Sequence, residues 1–138
     1  MTRKLLLPSM LIGLVFVLGC SDKVPLGGTV TFSDDGSPVP TGAVFFETST
    51  FQAQGDIRPD GTYRVGSETL TDGIPLGTYG VSIRGAEEVT IVERADGTTD
   101  ERRKDLIDSK YRIAETSGLT FTVDGKTRTF NIQVERAP

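Results

Sequence analysis

The sequence predicts an all-β sandwich. Three observations point to it. Asp-Gly occurs five times, at Asp35-Gly36, Asp60-Gly61, Asp72-Gly73, Asp96-Gly97 and Asp124-Gly125. This dipeptide favours tight turns, because glycine reaches positive φ without steric cost and aspartate tolerates it. Between the turns lie short runs in which residues alternate with period two, the mark of half-buried strands. Helical periodicity is almost absent after residue 23, while glycine and proline punctuate the chain throughout.

The first element is not part of that sandwich. Residues 1–19 read as a targeting segment: Arg3 and Lys4 form a basic start, and Leu5 to Leu18 an apolar run interrupted by Pro8, Ser9 and Gly13. The run is short for a permanent membrane helix, which needs about 20 apolar residues. It fits a signal peptide cut after a small residue, here Gly19. Cys20, the one cysteine, follows directly, and a lone cysteine forms no intrachain disulfide. Val17-Leu18-Gly19-Cys20 resembles the lipobox of bacterial lipoproteins, although Leu18 stands where alanine or serine is more usual. The resemblance implies cleavage after Gly19 and acylation of Cys20 on its thiol and its new amino terminus. Acyl chains contribute about 0.8 kcal/mol per buried CH₂, and stable anchoring takes more than one. Residues 20–23 would then be a lipidated start and short tether, and 24–138 the domain.

The strands follow in order. Gly28 to Ser33 alternates, with Val30 and Phe32 on one face. Gly42 to Thr48 places Ala43 and Phe45 on one side and Val44 and Phe46 on the other. Gln52 to Ile57 is a weaker third strand. Thr62 to Val65 turns Tyr63 and Val65 inward, and Gly77 to Arg84 does the same with Tyr79, Val81 and Ile83. Leu119 to Val123 and Arg128 to Glu135 alternate on either side of Asp124-Gly125-Lys126 and read as the clearest hairpin. Residues 85–117 are the exception. They hold a possible short strand, Val89 to Glu93, and a charged stretch, Ala95 to Asp105, expected as a solvated loop or short helical turn.

"GGTVTFSDDGSPVPTGAVFFE", "DGTYRV", "DGIPLGTYGVSI" and "KYRIAETSGLTFTV", in that order, resemble the carboxypeptidase regulatory-like domain. The likeness covers Val24 to Val134. It implies a seven-stranded, Greek-key, prealbumin-like sandwich of the transthyretin-like kind, borne by a small bacterial lipoprotein. Each motif also has a local reason: Pro38 and Pro40 stiffen the first connection, and Pro75 fixes φ ahead of the strand opened by Gly77. The pattern departs at Ile107-Asp108, where proline more often precedes the Lys-Tyr pair. In carboxypeptidases this domain accompanies a separate zinc peptidase, which nothing here matches.

Composition excludes several chemistries. The chain has 138 residues and no histidine, so His-based triads and His-ligated zinc are absent. Gly27-Gly28 precedes a strand rather than a helix, so it is not a phosphate loop. Removing Arg3 and Lys4 lowers 15 basic residues to 13 against 19 acidic, a net charge of −6. Such a scattered acidic balance does not suit nucleic acid. Asp34 with Asp35, and Asp96, Asp100 and Glu101, are carboxylate groups without the alternating calcium-loop pattern. No catalytic residue, metal site or cofactor is therefore expected. Phe46 and Phe51 are the candidate ligand-binding residues: Phe46 either faces outward beside Phe51 or is covered by the long loop. The expected protein is a lipid-anchored, non-enzymatic envelope component. Ser21 points to the outer membrane under the lipoprotein sorting rule, with an envelope protein or polysaccharide as partner. The alternative is a carbohydrate- or small-ligand-binding module of the same fold.

Overall fold

A computed structural model describes residues 22–138. Gly19, Cys20 and the leader lie outside the described residues. The strands are β1 (Lys23–Val24), β2 (Gly27–Phe32), β3 (Ala43–Glu47), β4 (Gln52–Asp56), β5 (Thr62–Arg64), β6 (Ile74–Pro75), β7 (Gly77–Arg84), β8 (Glu87–Glu93), β9 (Thr99–Asp105), β10 (Leu119–Val123) and β11 (Ile132–Val134). A 3-10 turn (Ser109–Arg112) and one helical turn, α1 (Ala114–Ser117), lie between β9 and β10.

Seven strands form the sandwich. One sheet has the order β10-β7-β3-β4 and the other β11-β2-β5. All seven were expected from the sequence. Their inward residues fill one core: Val44, Phe46, Ala53, Tyr79, Val81, Ile83 and Val123 face Val30, Phe32, Tyr63, Ile132 and Val134. Each large apolar side chain buried there contributes about 1.5–3 kcal/mol. The buried tyrosines keep a partner at their polar tips. The Tyr63 hydroxyl donates to the Phe130 carbonyl at 2.5 Å, and that of Tyr79 to the Pro75 carbonyl at 2.8 Å.

Two expectations need correction. Leu119 to Val123 and Arg128 to Glu135 are not a hairpin. The Asp124 carboxylate does accept from the backbone N–H of Lys126 and Thr127, both at 2.9 Å, and reverses the chain. The returning segment then crosses to the other sheet, where β11 runs parallel to β2 with Ile132 opposite Val30. β10 instead pairs with β7, Phe121 opposite Tyr79. Gly28 permits the crossing: a Cβ on it would lie 2.0 Å from the Phe130 carbonyl oxygen.

The second correction concerns 85–117. The charged stretch is a strand, not a loop. β8 and β9 pair from Glu87–Asp105 to Glu93–Thr99. Asp96-Gly97 makes their turn, with Gly97 at φ 83° and the Asp96 carboxylate accepting from the Thr98 N–H at 3.0 Å. The remainder closes the sandwich. Tyr111 is buried and its hydroxyl accepts from the Glu135 N–H at 3.1 Å. Ser117, also buried, donates to the Val81 carbonyl at 2.5 Å.

Candidate functional site

The proposed aromatic pair does not form a platform. Phe46 is 0% exposed. The cause is strand phase: Val44 and Phe46 point into the core, so Phe45 points out. The opposite sheet and its neighbours cover Phe46, not the 85–117 segment. Its ring lies 6.4 Å from those of Tyr63, Tyr79 and Phe121 and 6.3 Å from that of Phe130, mostly edge-to-face. Phe51 is half-buried against the core with its ring 6.0 Å from that of Tyr79. On the outer face Phe45 lies under Arg84, whose guanidinium carbon is 4.4 Å from the ring centre. Arg84 is held there by Glu47 at 2.5 Å.

The candidate acids do not converge. Asp34 and Asp35 are both bound by Arg136, at 2.8 and 3.0 Å. Hydrogen bonds from Ser37, with Arg136 nearby, hold the Asp35 carboxyl down at about 2. Asp96 is occupied by Thr98, Asp100 by Arg94 at 2.8 Å and Glu101 by Arg103 at 2.7 Å. Among the described residues no group of three or more acidic or thiol ligands is placed to hold a metal. Nor is any described helix long and apolar enough to cross a membrane.

Two features at opposite ends of β7 stand out instead. At one end, β1 pairs with β6, the strand just before β7. Lys23 is fixed there by Asp72 at 2.6 Å and Glu68 at 3.0 Å. The Lys23 ammonium and backbone N–H groups of the 67–69 turn hold the Asp72 carboxyl well below the usual range. The body of the protein is thus clamped to the chain three residues after Cys20.

At the other end, β7 finishes at Arg84 and the β8–β9 hairpin begins at Glu87. The eight residues of β7 separate the two ends by about 25 Å at about 3.3 Å per residue. Apart from its base, the hairpin stands off the sandwich. Val89 and Ile91 are 51% and 72% exposed and share one face with Arg103 and Glu101, their cross-strand partners. At the base, Glu87 lies 3.5 Å from Arg103 and 3.7 Å from Arg112. Among the described residues β8 pairs only with β9, and β9 only with β8. The strand Val89–Glu93 was visible in the sequence. Its charged mate lacked apolar alternation, and Asp96-Gly97 was the one available sign of it.

No family model matches the chain, and no curated protein matches it. Among solved structures, the major pilin subunit of Bacillus cereus is similar at 15% identity and a TM-score of 0.42, over 84% of this chain and 30% of the pilin chain. A 9R-lipoxygenase from Cyanothece is similar at 10% identity and a TM-score of 0.35, over 80% of this chain and 16% of that one. The chain therefore spans less than a third of either, and neither carries a function across. The all-β sandwich stands on the strand pairing itself.

Proposed function

We propose that this is a lipid-anchored, non-enzymatic envelope protein, of the small lipoprotein type with a carboxypeptidase regulatory-like domain. Its sandwich acts as a rigid spacer that holds a protein-binding arm away from the membrane. The observation that carries the reading is the placement of the Lys23 clamp and the hairpin base at opposite ends of β7. Acyl chains on Cys20 would hold the clamped end within a few residues of the bilayer. The β8–β9 arm would then start about 25 Å further out along β7. Val17-Leu18-Gly19-Cys20 and the basic, apolar leader support the anchor. The saccharide-binding alternative loses its aromatic platform, because Phe46 is buried.

Membrane fractionation tests the anchor. The wild-type chain should partition into the membrane pellet with an acylated Cys20, and Cys20→Ser should move it to the supernatant. A wild-type protein found in the supernatant with a free thiol defeats the reading.

A further inference from the structure

The hairpin is two strands wide, and a ribbon of that kind is marginal in water unless something packs on it or extends it. Its two edges differ in character. β9 carries Arg102, Arg103 and Lys104 among Asp100, Glu101 and Asp105, the dense charge that guards an edge against pairing. β8 offers Val89-Thr90-Ile91-Val92, a β-branched run with glutamates only at its ends. The open edge is therefore β8.

Backbone phase decides what can add to it. Arg94 N–H bonds to the Thr98 carbonyl and Leu106 N–H to the Ala86 carbonyl, at 2.7 and 2.9 Å. Alternation from these two bonds turns the even-numbered residues of β8 toward β9. The N–H and C=O groups of Val89, Ile91 and Glu93 and the C=O of Glu87 then point outward, with no backbone partner among the described residues, while the Glu87 N–H bonds to the Gly85 carbonyl at 2.9 Å.

We infer that β8 pairs antiparallel with β8 of a second copy of this chain, about a two-fold axis through Thr90. The inference extends the protein-binding reading of the arm and is independent of the lipid anchor. In this register the outward groups meet in hydrogen-bonding phase. Val89 lies opposite Ile91 of the second copy and Ile91 opposite its Val89, so four exposed apolar side chains close on one face. Arg103 and Glu101, paired at 2.7 Å, flank them as a polar rim. Thr90 meets Thr90, a favourable cross-strand pair. The one like-charge opposition, Glu87 against Glu93, is offset because Glu87 already sits between Arg103 and Arg112. A two-fold contact of this kind closes on itself and yields a dimer rather than a fibre. It is small for a specific interface, so association depends on concentration.

Disulfide trapping tests the register. At the axis the two Thr90 Cα atoms fall about 4.5 Å apart, the spacing of a non-hydrogen-bonded pair and within disulfide reach. The full chain carrying Cys20→Ser provides a background in which the introduced thiol stands alone. Thr90→Cys should form an interchain disulfide at least tenfold faster than Thr98→Cys, an exposed position in the turn of the same hairpin. Adding Ile91→Lys to Thr90→Cys should remove that advantage, with an unchanged circular dichroism spectrum showing that the fold is kept. Equal trapping at positions 90 and 98 overturns the proposal, as does trapping unaffected by Ile91→Lys. Either failure leaves the membrane fractionation result standing, so the two readings fall separately.

Discussion

Replacing Phe46 with alanine separates a core residue from a surface contact. Phe46 is 0% exposed and is ringed by four aromatic side chains, three at 6.4 Å and one at 6.3 Å. Truncating a fully buried phenylalanine costs about 3–5 kcal/mol, the lost transfer energy plus the cavity left behind. Edge-to-face aromatic pairs add about 0.5–1.5 kcal/mol each, which places Phe46→Ala in the upper part of that range. Against a domain stability of about 5–15 kcal/mol, the loss is large. With a urea m-value of about 1.5 kcal/mol/M, a 4 kcal/mol loss lowers the unfolding midpoint by roughly 2.5–3 M. Phe45→Ala is the control. It removes a half-buried ring stacked under Arg84, an interaction worth about 0.5–1 kcal/mol at such a site. Urea melts followed by circular dichroism measure both variants. A Phe46→Ala shift under about 0.5 M, the scale of a surface change, would refute the packing described for this residue.

Gly28→Ala should destabilise strongly, by about 3 kcal/mol or more, because its methyl group would meet the backbone oxygen of Phe130 rather than a movable side chain. Thermal melts within a few degrees of the wild type would show that the crossing from β10 to β11 lies elsewhere. Asp72→Asn should lower the melting temperature at neutral pH. The Asp72 carboxyl titrates lower in the folded state than in the unfolded one, so its stabilisation is complete above about pH 4 and is lost as pH falls through the folded value. The gap between wild type and variant should therefore narrow in acid. A gap that stays constant from pH 7 to pH 2 counts against the Lys23–Asp72 clamp.

The seven sandwich strands were legible because each carries alternation between turn signals. What alternation does not reveal is the partner. Leu119–Val123 and the strand after it alternate equally well whether they pair with each other or with β7 and β2. The pairing is decided by the close approach of Phe130 to Gly28, for which the Gly27-Gly28 doublet was the available clue. The phase of β3 was ambiguous because both faces carry a phenylalanine. Glu47 shares a face with Phe45, and that charge resolves it: the face with Glu47 turns outward. β9 was missed because neither face of it is apolar. It is held by backbone pairing with β8 and by ion pairs, which leave no hydrophobic period to read. The same charge made the segment look like a solvated loop, and so concealed the arm on which the proposed partner contact lies.

The parallel pairing of β11 with β2 also shapes how the chain acquires its structure. Thr29 and Asn131, which hydrogen-bond at 3.1 Å beside this pairing, are 102 residues apart. The three-stranded sheet cannot be completed until the region around residue 132 has been synthesised and has returned to the beginning of the domain. Closing so long a loop slows folding. A nascent chain would thus keep this sheet open through most of its translation and close it only once Ile132 to Val134 can reach β2.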